Sequence, residues 1–186
     1  MKRLTCIDEF RALQGRLRKQ RDGRAVTLVI PAGTCGIASG AGALIHEAQR
    51  AILAHRLADK VHLRVTGCHG FCQMEPSILV EPRRTFYPKV NPVDVEKIVQ
   101  AAAGGNAVRD LLPVNPLTGQ AVERQDDIGF FANQIRGVLG QNEHVDPTRI
   151  EDYIAHGGYD AAVQVISRSD AGWVIEQIKA SQLRGR

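Results

Sequence analysis

Residues 25–30, AVTLVI, form an unbroken apolar run weighted towards β-branched side chains. Such a run fits a strand covered on both faces and not one half-exposed to water. Residues 61–65, VHLRV, repeat the strand signal. Between them, residues 31–42 (PAGTCGIASGAG) read as a loop of glycine and small residues. Ser39 is expected to cap the helix that follows, with Leu44, Ala48, Ala51, Ile52 and His55 on one face. Two strands joined through a helix run parallel, with a right-handed crossover. After the second strand come a loop at 66–75 (TGCHGFCQME), a short apolar segment at Ile78, Leu79 and Val80, a turn at Arg83 and Arg84, and a returning strand over 85–90. Asn91 and Pro92 then open a helix that turns Val95, Ile98, Val99 and Ala102 inward and stops at Gly104 and Gly105.

A strand–helix–strand unit closed by an antiparallel hairpin and a helix is a thioredoxin-like α/β layout. Both cysteine-bearing loops leave the C-terminal ends of neighbouring parallel strands, the edge at which open α/β sheets hold their ligands. This unit covers residues 25–105. Ahead of it, residues 1–24 read as a basic amphipathic helix with Leu4, Ile7, Phe10, Leu13 and Leu17 on one face, Thr5 as its cap, and Asp22 and Gly23 as its stop. Behind it, residues 106–134 read as a connector containing Pro113, Pro116 and Gly119, and residues 135–186 as a run of short helices too thin to bury much alone.

The chain of 186 residues is 44% apolar and 24% charged, which excludes wholesale disorder. It has no apolar stretch long enough to span a bilayer, and MKRLTCIDEF lacks the apolar core of a secretory signal, so a cytoplasmic protein, at most peripheral to a membrane complex, is expected. The net charge of +4 is concentrated: residues 1–24 hold eight Lys and Arg against three acidic residues, and the rest is close to neutral. The basic face there is a solvated surface or a dock for an acidic partner. No nucleic-acid-binding motif accompanies it, so no nucleic acid is expected as a partner.

Four cysteines stand at positions 6, 35, 68 and 72. In a cytosolic chain they point to metal or redox chemistry before structural disulfides. Cys68 and Cys72 form a C-x3-C pair in a loop flanked by Gly67 and Gly70, where small residues let backbone N–H groups approach the sulfur atoms. Cys35, from the neighbouring loop, adds a third thiolate, and such a soft anionic pocket suits an iron–sulfur centre or zinc. Two other readings stay open at this stage: unrelated buried thiols, and a disulfide switch between Cys68 and Cys72.

The stretches GTCGIASG (33–40) and TGCHGFCQMEP (66–76) resemble the thioredoxin-like [2Fe–2S] ferredoxin domain fused to the front of NADH-binding flavoprotein subunits of complex I-type enzymes and NAD-linked hydrogenases. Residues 127–131 (DIGFF), 145–159 (VDPTRIEDYIAHGGY) and 182–186 (QLRGR) resemble the lead-in to the flavin domain of those subunits, in the same order. The resemblance implies an α/β fold: a thioredoxin-like ferredoxin domain followed by a short-helix segment that begins the flavin domain. It implies an electron-transfer module of an NADH-dependent oxidoreductase, with other subunits of that redox complex as partners. Cys35, Cys68 and Cys72 are carried over as ligands of a [2Fe–2S] cluster, with Cys68 and Cys72 on one iron and Cys35 on the other. The family's first loop supplies two cysteines, whereas here Pro31 or a close neighbour stands near the missing one; Ser39, His69, Cys6 or water are the candidates to replace it. His69 itself is expected to face solvent. Arg184 and Gly185 mark the edge of a truncated FMN loop, so FMN and NAD are expected only in the full-length or assembled protein, and this chain alone should not oxidise NADH. A cluster-less docking or assembly domain of the same complex is the alternative reading.

The remaining features read as structural. Trp173 and residues 175–178 are expected to be helix core, Tyr153 and Tyr159 to pack the short helices together, and His46, His55 and His62 share no metal-ligand spacing.

Overall fold

The structure is a computed structural model that describes residues 3–22 and 26–185. Lys2, Gly23, Arg24, Ala25 and Arg186, to which the sequence reading gave a charge, a helix stop, a strand start and a loop edge, lie outside the described residues. The chain runs through α1 (Ile7–Asp22), β1 (Val26–Pro31), α2 (Thr34–Ala38), α3 (Ala41–Ala54), β2 (Val61–Thr66), β3 (Ile78–Glu81), β4 (Thr85–Tyr87), α4 (Val95–Ala103), α5 (Gly129–Ala132), α6 (Ile150–Ala155), α7 (Asp160–Arg168) and α8 (Ala171–Ala180).

The four strands form one sheet in the order β2-β1-β3-β4. Strands β1 and β2 are parallel from Val26 opposite Val61 to Pro31 opposite Thr66. Strand β3 runs antiparallel to β1, with Val29 opposite Leu79, and β4 antiparallel to β3, with Leu79 opposite Phe86. This is the thioredoxin-like arrangement expected from the order of elements. On one face Leu28, Ile30, Val61, Ile78, Val80 and Tyr87 pack against Leu44, Ala48, Ala51 and Ile52 of α3 and Val95, Ile98, Val99 and Ala102 of α4. Each of these side chains is removed from water, a gain of about 25 cal/mol per Å² of apolar surface. The inward positions of α4 are the four that its 3.6-residue spacing singled out.

The other face is built differently. Val29, Leu79 and Phe86 make a small apolar cluster with Phe71, Met74 and Ile128. Beside it, Thr27, Arg64, Thr66 and Glu81 are polar or charged and, apart from the partly exposed Glu81, buried. The Arg64 side chain is only 3% exposed and donates to Glu81 Oε2 at 2.8 Å and to the Glu143 backbone oxygen at 3.4 Å. Glu143 lies on a strap, residues 136–146, that crosses this face. Its carboxylate meets Arg84 Nη2 at 3.3 Å and Arg136 Nη1 at 3.1 Å. The chain ahead of the strap also returns to the sheet. Phe86 N donates to Glu123 O and Gln125 N to Arg84 O, both at 2.9 Å, so residues 123–125 cover the open edge of β4.

Helix α1 docks on α6 within the same chain. Gln14 Nε2 donates to Ile154 O at 3.1 Å and to Asp160 Oδ1 at 2.8 Å, and Arg18 Nε to Ala155 O at 3.0 Å. Ile154 O and Ala155 O are carbonyls of the last turn of α6, where helix carbonyls lack intrahelical partners, and Ile154 O also accepts from Gly157 N. Leu13 is buried in the contact, while Arg11, Arg16 and Lys19 stay exposed. The tyrosines meet edge to face, Tyr153 with Tyr159 at 5.3 Å between ring centroids, and Phe10 adds to Tyr159 at 6.4 Å. The expectation of a core around Trp173 does not hold. No residue of α7 or α8 is buried, Ile175 and Ile178 are more than half exposed, and Trp173 lies under the Arg168 guanidinium at 4.2 Å. Asp170 caps α8 by accepting from Trp173 N at 3.1 Å. Among the described residues no helix is long and apolar enough to cross a membrane.

His144 of the strap stacks on His156 beyond α6 at 5.8 Å between centroids. Burial holds both imidazoles below their ordinary pKa; at His144 the Glu143 and Glu81 carboxylates offset part of it, and the positive charges of Arg21 and Arg64 add to it at both. Both rings are therefore neutral in the folded chain, whereas the unfolded chain takes up protons near pH 6.5. Stability is then full above that pH and drains as pH falls below it. The urea midpoint should drop between about pH 7.5 and about pH 5.5. A His144→Asn/His156→Asn variant should show a shallower drop, with His69 supplying part of what remains. Parallel pH profiles for the two proteins would refute the role given to the pair.

Candidate functional site

The parallel pairing of β1 and β2 delivers two loops side by side. Ala32 N donates to Thr66 O at 2.8 Å, so the loops stay joined one residue past the strands. Gly33 then lies against the second loop: a Cβ there would stand 3.1 Å from Cys68 Cβ and 3.2 Å from Cys68 N. Glycine at this position is what lets the Cys35 segment touch the Cys68 segment.

Residues 34–38, read from sequence as loop, form the one-turn helix α2, with Cys35 in its first turn. Gly36 is buried there, and a Cβ on it would reach 2.4 Å from Pro31 O, a backbone atom that cannot swing aside. Ser39 does not cap α3. It closes α2, and its N–H donates to Cys35 O at 2.9 Å, while Gly40 at φ 106° makes the turn into α3. The left-handed turn needed between two abutting helices is what glycine adopts without strain.

In the second loop Cys68 Sγ and Cys72 Sγ lie 3.6 Å apart, and Gly70 N donates to Cys68 Sγ at 3.2 Å. Gly70 has φ 90°, and this reversal brings Cys72 back beside Cys68 before the tight turn Cys72–Met74. The Cys72 thiol is pushed up to about 11 by its hydrogen-bonding contact with Cys68 first and with Cys35 second, with burial adding to the effect. All four cysteines are free; Cys35 and Cys72 are exposed and Cys68 half-buried. Cys6 stands exposed ahead of α1, the helix that packs on α6.

His69 is turned inward, contrary to the expectation that it faces solvent. It is 3% exposed, and Nε2 is 2.8 Å from Thr66 Oγ1. Burial holds its pKa down to about 3, with the Arg136 charge adding to the effect, so the ring is neutral. The histidine is thus buried, while the cysteines on either side of it are half-buried and exposed. Arg184 and Gly185 lie in exposed, irregular chain beyond α8. Among the described residues no group of three or more His, Cys, Asp or Glu side chains is arranged to hold one metal ion.

Four of the five phenylalanines gather behind the second loop. Phe71 stacks on Phe130 at 4.1 Å and 6° and meets Phe131 edge to face at 5.4 Å, and Phe86 completes the group. Beside them an apolar cavity of about 370 Å³ is lined by Phe71, Met74, Phe86, Pro113, Ile128 and Phe130 among others. Sequence reasoning passed over this packing. The adjacent pair Phe130 and Phe131, in a chain only 5% aromatic, was the signal available.

No family model matches the chain. Among solved structures, it is similar to the wild-type thioredoxin-like [2Fe–2S] ferredoxin from Aquifex aeolicus, with 21% identity and a TM-score of 0.45 over 50% of this chain and 100% of that one. A second structure of a thioredoxin-like [2Fe–2S] ferredoxin from Aquifex aeolicus aligns with 23% identity and a TM-score of 0.42 over 48% of this chain and 90% of that one.

The contact at Gly36 makes a direct test of the first loop. Gly36→Ala forces a methyl group onto the Pro31 carbonyl and should lower unfolding stability by about 1–3 kcal/mol in urea titration. Gly42→Ala, at an exposed helical position with open space around it, should be neutral or slightly stabilising. Equal stabilities for the two variants would refute the packing described for α2.

Proposed function

We propose that this chain is a [2Fe–2S] electron-transfer module in which Cys68 and Cys72 bind one iron and Cys35 the other. The observation that carries the reading is the 3.6 Å separation of Cys68 Sγ and Cys72 Sγ. Two thiolates on one tetrahedral metal, each about 2.3 Å from it, stand roughly 3.8 Å apart. The pair therefore fits one iron with hardly any movement. The Gly70 amide on Cys68 Sγ supports the same reading, since N–H groups directed at sulfur offset the charge of a thiolate-bound centre. Cys35, whose thiol meets that of Cys72, would supply a third ligand from the adjoining loop. The fourth position has no thiol: Pro31 is buried at the end of β1, and Ser39 is exposed at the end of α2.

When bound, such a centre takes up and passes on one electron at a time. The chain's own residues do the rest. The three thiolates bind, the Gly70 amide lowers the charge on sulfur, neutral His69 fills the space beneath the loop, and the phenylalanines shield its inner side from water. The exposed edges at Cys35 and Cys72 offer the route by which a partner approaches.

The wider setting we propose is an NADH-dependent redox complex of the NADH:quinone oxidoreductase or NAD-linked hydrogenase type. The stretches at 127–131, 145–159 and 182–186 support it. Arg184 and Gly185 would then border an FMN site completed elsewhere, and other subunits of the complex would be the partners. A second reading, a cluster-less docking or assembly domain of the same complex, is favoured by the lone cysteine of the first loop.

Iron and acid-labile sulfide assays with a visible spectrum, on protein purified without oxygen, decide between them. The electron-transfer reading expects about two irons and two sulfides per chain and brown absorption that bleaches on dithionite. Cys68→Ser and Cys72→Ser should each abolish the colour, and Cys35→Ser should make the centre weaker or absent. A colourless, iron-free protein that also resists reconstitution would leave the docking reading in place.

A further inference from the structure

We infer that Arg136, assisted by Asn142, is a positioning residue for the Cys68–Cys72 loop, acting on the sulfur atoms through the loop backbone. Arg136 Nη2 donates to His69 O at 2.7 Å, and Asn142 Nδ2 donates to Cys68 O at 3.1 Å. Two successive carbonyls of the loop are thereby drawn towards the strap. A peptide carbonyl and the N–H one residue on point in opposite directions, so drawing His69 O to Arg136 sends Gly70 N the other way, onto Cys68 Sγ. A carbonyl aimed at the thiolates would repel them instead.

The anchor is firm at its other end. The Arg136 side chain is 16% exposed, and its Nη1 is fixed by Glu143 Oε2 at 3.1 Å. Glu143 is 8% exposed and is tied in turn to Arg84 in the β3–β4 turn. The Arg136 guanidinium also lies 5.7 Å from the centre of the Phe131 ring, in the cluster that stacks on Phe71. A chain of contacts thus runs from the sheet through Arg84, Glu143 and Arg136 to the peptide between the two cysteines. Asn142 adds a close fit at the loop's entry, where a Cβ on Gly67 would stand 3.3 Å from Asn142 Nδ2. One guanidinium reaches Glu143 and His69 O together because its nitrogens form a rigid planar fork, which a lysine ammonium lacks.

The redox consequence rests on the proposed function; the positioning itself does not, so the test has two arms. In the first, amide hydrogen exchange is followed across residues 67–73 of the iron-free protein. Arg136→Gln and Arg136→Lys should both speed exchange of the loop by about tenfold or more, the scale of a lost hydrogen bond to a charged group. Asn142→Ala should give a smaller increase and serves as the milder variant if the arginine changes unfold the chain. In the second arm, iron-loaded protein is titrated for its reduction potential and rate of cluster loss. Arg136→Gln should lower the potential and hasten loss, while Arg136→Lys should hold the potential nearer the parent but lose the cluster as fast as Arg136→Gln. Loop exchange at the parent rate in folded Arg136→Gln and Asn142→Ala would overturn the inference. So would full rescue of loop exchange by lysine, which would reduce Arg136 to a charge. A protein that takes up no iron defeats the proposed function and leaves the exchange arm to decide on Arg136.

Discussion

A four-stranded sheet has two faces, and the whole architecture follows from how the second one is closed. Helices α3 and α4 seal the first with aliphatic side chains, in the ordinary way of α/β proteins. The second carries an arginine, Arg64, in the middle of strand β2, buried to 97% of its side chain by the strap above it. An isolated buried charge is prohibitively costly, so Arg64 demands partners, and it finds them in Glu81 and the Glu143 backbone. Glu143 needs cations in its turn and draws in Arg84 and Arg136. Buried ion pairs contribute little net stability against an apolar alternative, but they specify one arrangement sharply, because any slip leaves a charge unpaired. The strap's register on the sheet is set in this way, and the cysteine loop is set by the strap.

The same economy explains the electrostatics of the site. The Cys72 thiol, in contact with Cys68 and Cys35, resists ionising. His69 and the phenylalanines offer no charge to relieve that resistance, and the Arg136 guanidinium is committed to Glu143 and the loop backbone. A cation bound by sulfur is the simplest relief, for it makes the deprotonated form of each thiol the favoured one.

Much of this was legible in the sequence where one physical signal dominated. A continuous run rich in β-branched residues marked β1, the alternating VHLRV segment marked β2, and helical spacing marked the buried side of α4, because burial on a sheet leaves a period that local chemistry does not blur. Ser39 has the chemistry of a helix cap, but two helices meet at that point, and the left-handed turn between them went to Gly40. His69 sits between half-buried Cys68 and exposed Cys72 in a glycine-flanked loop, and nothing local marks it as the residue that is buried. Gln14 and Arg18 look like surface residues of a basic helix until α6 supplies carbonyls for them. Trp173 and Ile175 have the composition of a core, but among the described residues no side chain of α8 is buried, and Trp173 is covered by the Arg168 guanidinium. For Gln14 and Arg18 the deciding partner lies far along the chain, and a single sequence encodes such pairings only through residues that look unremarkable where they stand.

The two halves of the cysteine site are consequently unequal. The Cys68–Cys72 loop is held from three sides: by Arg136 and Asn142 at its carbonyls, by Phe130 and Phe131 on its phenylalanine, and by Thr66 on its histidine. Its sulfurs already stand at a separation suited to one metal. The Cys35 half rests instead on close backbone contact, through Gly33 against Cys68 and Gly36 against Pro31, and α2 ends in solvent. A metal centre bridging the two loops would be gripped rigidly on one side and loosely on the other. Exchange of ligands would then concentrate on the Cys35 side, where side chains are exposed.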